Sequence, residues 1–389
     1  MKRKLWKMVS VATIVLMLAG CGKADKAYQE GMDLAAEGKF EESLPFFEKA
    51  IEEKKEQAEY YIAYGMALNR LCRYQEAKEN FDKVTQDTDN KISQKNNKQI
   101  YYGMAMSEYG LGNYDLVVEC CGKALAVDYL EDMDCDILYT RMLALCQQMN
   151  WEKAKEDCKE IIQKDKKYFD AYLALARIER NMGENDEAVK AYLDVIDLDK
   201  TYYDAYFELY EQYQYSGQED AANELLDQLL GIKQDSGQNM LVIGRAYYMK
   251  KQYDEAKEYL DKAYQEKCSE SRYYTGIIYA EEGVYDKAVE AFQAYLKENE
   301  DNPKAEVYYQ LALVYMAQGE YGQAQSTIEE GISLGWSSAL RDLKRTQVIL
   351  LEKQNQYKEA LKLAKEYLKV YPSDAAMKKE RSFIRTRIK

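Results

Sequence analysis

The side chains best suited to covalent or acid–base chemistry in this 389-residue chain are eight cysteines and 68 carboxylates, because histidine is absent. Without imidazole there is no Ser-His-Asp or Cys-His nucleophile pair and no H-E-x-x-H metalloprotease helix. A Cys/His zinc site is excluded for the same reason. Cys72, Cys120, Cys121, Cys135, Cys146, Cys158 and Cys268 contain no C-x-x-C, and seven of them cannot all pair with one another. They read as small buried hydrophobes, with oxidation to a disulfide as the functional alternative. No G-x-x-x-x-G-K-[ST], G-x-S-x-G or G-x-G-x-x-G loop occurs, so nothing here cradles a nucleotide phosphate in a standard way. Paired carboxylates arise by chance among so many acids, and solvated helix faces account for them. No enzyme, no metal and no cofactor are expected; catalysis by carboxylates alone would need a bounded pocket holding two of them at a set separation.

The eighth cysteine has a different setting. Residues 1–7, MKRKLWK, are basic, Met8 to Ala19 is an apolar run, and small residues lead to Cys21. That layout is an export signal, with a run too short to span a bilayer comfortably. Leu18-Ala19-Gly20-Cys21 resembles the lipobox of bacterial lipoproteins. The resemblance implies removal of a signal peptide over 1–20 and a covalent diacylglycerol on Cys21. It also implies a lipid-anchored chain on the extracytoplasmic face of the cell membrane. A plain secretory signal with an incidental cysteine is the competing reading.

The elements that must follow are helices. Three prolines and 20 glycines against 31% charged residues leave few strand or loop breakers, which points to an all-α chain with short connections. Lys and Arg number 54 against 68 Asp and Glu, an acidity that argues against nucleic acid. One local exception runs from Met377 to Lys389, where six cations face the single acid Glu380. It reads as a solvated capping helix over 375–389, with Met377, Phe383, Ile384 and Ile388 on one stripe.

A phrase recurs along the rest: a turn residue, an aromatic two positions on, an acid, and alanine three positions after the aromatic. The aromatic positions are Phe40, Tyr74, Tyr114, Trp151, Tyr253, Tyr285, Tyr321 and Tyr357, with Asn185 and Glu219 as replacements. The underlying period is 34, with one long step of 40 between Tyr74 and Tyr114. This pattern resembles the tetratricopeptide repeat (TPR) family over residues 24–374. The resemblance implies an α-solenoid of about ten helical hairpins: 24–57, 58–91, 98–131, 135–168, 169–202, 203–236, 237–268, 269–302, 305–338 and 341–374. Residues 21–23 would link the anchor to it. With the aromatic at repeat position 17, small residues such as Gly31, Gly65, Gly244 and Gly276 fall at position 8, and alanines from Ala77 to Ala360 at position 20. There the two helices of a hairpin come closest. Position 24 supplies core side chains, including Phe47, Phe81, Cys121, Cys158 and Phe292. The run Ile92–Asn97 in the long step reads as a longer turn or a helix extension, and as a hinge.

In this family the first helix of each hairpin lines a concave groove, chiefly at positions 2, 5, 9, 12 and 13. Position 9 is apolar except for Arg177, Glu211 and Arg245, and Arg180, Phe207, Tyr215 and Tyr248 fall on the same face. Fixed charges beside flat rings suit an extended peptide, guanidinium on carboxylate or carbonyl and ring on side chain. The alternative is that the charges only solvate an open groove. The leading expectation is a membrane-anchored scaffold binding a protein or peptide partner there. The 37 tyrosines carry a second one, stacking on the sugar rings of cell-wall polysaccharide such as peptidoglycan.

Overall fold

The computed structural model describes residues 22–84, 91–335, 337, 339–372 and 374–388. Signal, lipobox and Cys21 lie outside them. Within them the chain is all-helical, 21 α-helices and no strand, joined by short turns.

The helices follow one another in ten pairs along the chain. They are α1 Lys23–Ala36 with α2 Phe40–Glu53, α3 Ala58–Arg70 with α4 Tyr74–Asp82, and α5 Lys91–Leu111 with α6 Tyr114–Leu125. After a short 3-10 turn at Glu131–Met133 come α7 Asp134–Gln147 with α8 Trp151–Lys164, and α9 Phe169–Met182 with α10 Asn185–Leu198. Then follow α11 Tyr203–Tyr215 with α12 Glu219–Leu230, α13 Gly237–Met249 with α14 Tyr253–Gln265, and α15 Glu270–Glu281 with α16 Tyr285–Glu298. The last are α17 Ala305–Gln318 with α18 Tyr321–Ser333, α19 Leu340–Lys353 with α20 Tyr357–Val370, and the terminal α21 Ala375–Arg387. The helices form two compact units: the described residues through Met182 with 369–373, and 183–368 with 374–388.

The turn chemistry is the same throughout. Two residues before each second helix sits a left-handed residue: Gly38, Cys72, Gly112, Met149, Gly183, Gly217, Lys251, Gly283, Gly319 and Asn355. The next amide reaches back to a carbonyl five residues earlier, as from Arg73 N to Leu68 O at 2.9 Å and Val284 N to Tyr279 O at 2.8 Å. This is the Schellman closure of a helix end, which favours glycine because a Cβ is strained at positive φ. It is why a glycine so often precedes the turn aromatic by two.

Packing between the paired helices is equally repetitive. A Cβ built on Gly31 would stand 2.7 Å from the Phe47 ring, and on Gly65 2.5 Å from Phe81. In the second unit, Gly244 faces Leu260 at 2.8 Å and Gly276 faces Phe292 at 2.6 Å. Ala77, Ala154, Ala188, Ala222, Ala256, Ala288, Ala324 and Ala360 are all fully buried. Small residue opposite large is what lets two helix backbones approach and still fill the space between them.

In the first unit the long step is a helix extension. Helix α5 has 21 residues, with 92–97 continuing its first turns, so the run expected as a possible hinge is ordinary helix. Lys98 on this segment is buried and gives its ammonium to Val127 O at 3.1 Å and Asp134 Oδ1 at 2.7 Å. Lys164 takes the other Asp134 oxygen at 3.1 Å. The pairing ties α5, α7 and α8 together, and a buried ammonium tolerates this site only because both acceptors meet it. In the second unit, Asp374 caps α21 by accepting from Met377 N at 2.9 Å and also receives Tyr367 and Arg341. Burial pushes this carboxyl up, but those three hydrogen bonds and the Arg341 charge outweigh it and hold it at about 2.

Candidate partner-binding face

The residues singled out from the sequence fall in both units. Arg177 and Arg180 lie on α9 in the first, three positions apart and so on neighbouring parts of one face. Arg177 is exposed and its charge reaches the Tyr139 hydroxyl of α7. Asn181 donates to the Arg177 carbonyl at 2.8 Å.

In the second unit, the structure brings Phe207 and Arg245 into direct contact. The Arg245 guanidinium lies 3.8 Å from the centre of the Phe207 ring and 4.9 Å from that of Tyr274, with Asp204 Oδ1 at 2.9 Å from its Nη1. One side chain on α13 thus joins α11 and α15. Its Nε is buried and has no hydrogen-bond partner among the described residues. A guanidinium held over two rings loses most of its freedom.

Tyr248, one turn further along α13, donates to Glu281 Oε1 at 2.5 Å, and Tyr253 donates to Glu281 Oε2 at 2.7 Å. Their rings stack with centres 6.1 Å apart. Burial, then the bond to Glu281, raises the Tyr248 hydroxyl well above its ordinary value. Both stay neutral donors at any physiological pH. Glu211 and Tyr215 project from α11, and Tyr215 is 67% exposed.

Position 5 does not line an open surface along much of the array. Phe207 is 3% exposed, and Ile62, Tyr102, Leu173 and Leu241 are buried too. Adjacent first helices stack closely enough to cover it, so Phe207 acts as the floor under Arg245. Position 9 is mixed: Arg177, Glu211 and Leu313 are exposed, while Met32, Met66 and Met106 are buried.

Three residues outside the sequence-based set complete this face: Asp204, Tyr274 and Glu281. Their signal was available only as register between repeats, since Arg245 and Asp204 are 41 positions apart. One of the two lost turn aromatics also has a replacement. Gln212, fully buried on α11, donates to Asn185 Oδ1 at 3.1 Å, so a hydrogen bond stands where the ring would pack.

The cysteines are not arranged for chemistry. Cys121 and Cys158 are buried, the other five are partly covered, and those described are unpaired thiols. Burial pushes Cys120 up to about 11 and Cys146 up to about 12, and Cys121 and Cys158 further, so these four stay thiols at neutral pH. Among the described residues no three Cys, Asp or Glu side chains are grouped to hold a metal, and no helix is long and apolar enough to cross a membrane.

Family models described as tetratricopeptide repeat match residues 169–202, 241–303 and 279–334. Among solved structures, yeast Tom70 is similar over 99% of this chain and 93% of its own, at 13% identity and a TM-score of 0.50. PilF of Pseudomonas aeruginosa matches over 56% of this chain and 95% of its own, at 16% identity and a TM-score of 0.44. The Cut9-Hcn1 structure matches over 98% and 94%, at 12% identity and a TM-score of 0.40. Nothing among the curated proteins matches.

Proposed function

From the premise that this chain carries tetratricopeptide repeats in an all-helical array, we propose that it is a scaffold that holds an extended segment of another protein along its first helices. It does so from the extracytoplasmic face of the cell membrane, anchored by a diacylglycerol on Cys21. The observation that carries the binding half is Arg245. Its guanidinium is held between Phe207 and Tyr274 beside Asp204, so a peptide carboxylate or carbonyl approaching its outer edge meets an ordered cation rather than a mobile one. Tyr215 and Glu211 extend the same side of the second unit with exposed polar and aromatic surface.

The polysaccharide reading has less support. Tyr60, Tyr168, Tyr248 and Tyr253 spend their hydroxyls on Asp25, Asp136 and Glu281 between neighbouring helices, which is work inside the array.

In-cell cross-linking tests the binding half. Arg245→Met keeps the stacked bulk and removes the charge, so it should cut partner capture about tenfold while leaving thermal unfolding near that of the parent, the loss expected for one charged hydrogen bond. Undiminished capture counts against the groove. The anchor half is tested apart from it by detergent-free fractionation: Cys21→Ala should leave the membrane fraction, and a variant as firmly bound as the parent refutes the acyl anchor.

A further inference from the structure

The chain is electrically lopsided. Residues 341–389 hold 14 Lys and Arg against six Asp and Glu, a local excess of eight positive charges in a protein whose total is −14. Helix α21 concentrates it. Lys378, Lys379, Arg385 and Arg387 are exposed, and none pairs with a carboxylate among the described residues. Elsewhere in the same unit, Lys257, Lys304 and Arg341 each sit on an acid at 2.6 to 3.1 Å. The single acid on α21, Glu380, is half-buried and lies beside Glu352 of α19, so one carboxylate stands against the cations of this helix.

The inner face is already used. Met377 and Ile384 are fully buried, and Asp374 caps the helix start. What faces outward is a convex strip with cations spread along and around it, small Ala376, Ser382 and Thr386 between them, and one apolar ring. Phe383 is 41% exposed with the Arg387 guanidinium 4.8 Å from its centre.

We infer that the outer face of α21 is a docking surface for an anionic phospholipid bilayer, with the cations in the headgroup layer and Phe383 at its boundary with the acyl chains. Charge complementarity selects an anionic partner. Of these cations Arg387 borders a cleft, an open one toward residues 355–359; Lys378, Lys379 and Arg385 are spread over the exposed helix, which fits a plane of diffuse charge better than a single ligand or a peptide. An exposed ring among cations suits the same boundary. The acidic remainder of the chain is repelled by such a surface, so attachment through α21 would also orient the molecule. This surface does not depend on the acyl anchor proposed at Cys21, because acyl insertion is indifferent to headgroup charge.

The test is partition of the purified full chain, at limiting lipid, between buffer and vesicles of phosphatidylcholine alone or with 30% phosphatidylglycerol. Phosphatidylglycerol should raise the partition coefficient at least tenfold, 0.5 M salt should remove the gain, and K378Q/K379Q/R385Q/R387Q should lose it with unchanged helical content and melting. Whatever the acyl chain contributes appears equally in both vesicles. Equal partition into the two compositions, a gain retained by the quadruple variant, or binding to polyglutamate or RNA with no response to phosphatidylglycerol would each overturn the assignment.

Discussion

Gly276 and Phe292 meet across a single hairpin so closely that a methyl group on the glycine would stand 2.6 Å from the ring. The contact sets the distance between α15 and α16. Gly276→Ala is expected to destabilise this hairpin by about 1–3 kcal/mol despite the better helix propensity of alanine, because the ring is fully buried and has nowhere to retreat. Amide exchange in α15 and α16 would register it. A second change, Phe292→Leu, should recover part of the loss.

The left-handed turn residues make the opposite prediction. Met149 and Lys251 hold φ near 58° and 57°, where a side chain is strained and glycine is not. Met149→Gly and Lys251→Gly are each expected to stabilise the protein by about 1 kcal/mol. Urea unfolding midpoints would move up for both, and a downward shift would mean that the side chains contribute more than their backbone costs.

Acidity should tighten the terminal helix. Burial first, then the hydrogen bond and charge of Glu380, raises Glu352 to about 7 against the opposing charges of Lys353 and Arg387. The folded value lies above the ordinary one of about 4.3, so the stability this proton supplies is complete below that pH and is lost as the pH rises through 7. Asp374 is depressed to about 2, and what it contributes is lost only as the pH falls toward that value, so it is constant across this window. Intrinsic-rate-corrected amide exchange in α21 should be faster at pH 8 than at pH 6. Glu352→Gln should abolish the difference, and an unchanged response would assign it to other groups.

Much of the fold is legible in the sequence because its packing is local and periodic. Gly31 opposite Phe47 and Gly65 opposite Phe81 lie within one hairpin and recur every 34 positions, so a single alignment of the chain on itself exposes them. Lys98 is less readable: a lysine reads as solvated until Asp134, 36 positions on, is known to face it. The candidate site is harder still. Position 9 draws attention to Arg245, but the burial of Phe207 beneath it and the contacts with Asp204 and Tyr274 depend on how closely successive first helices stack. That spacing is a property of the assembled array and not of any one repeat. The non-glycine turns at Cys72, Met149, Lys251 and Asn355 show the same limit, since the Schellman closure forces a conformation that the residue itself disfavours.

Within each unit, the extensive helix contacts join elements one or two places apart in chain order. During synthesis, then, most hairpins do not wait for a distant stretch of chain to cover them; the third is the exception, since its Tyr114 hydroxyl meets the Val370 carbonyl 256 positions on. Each new repeat that emerges completes much of the one before, so most of the protein can be built in the order in which it is made.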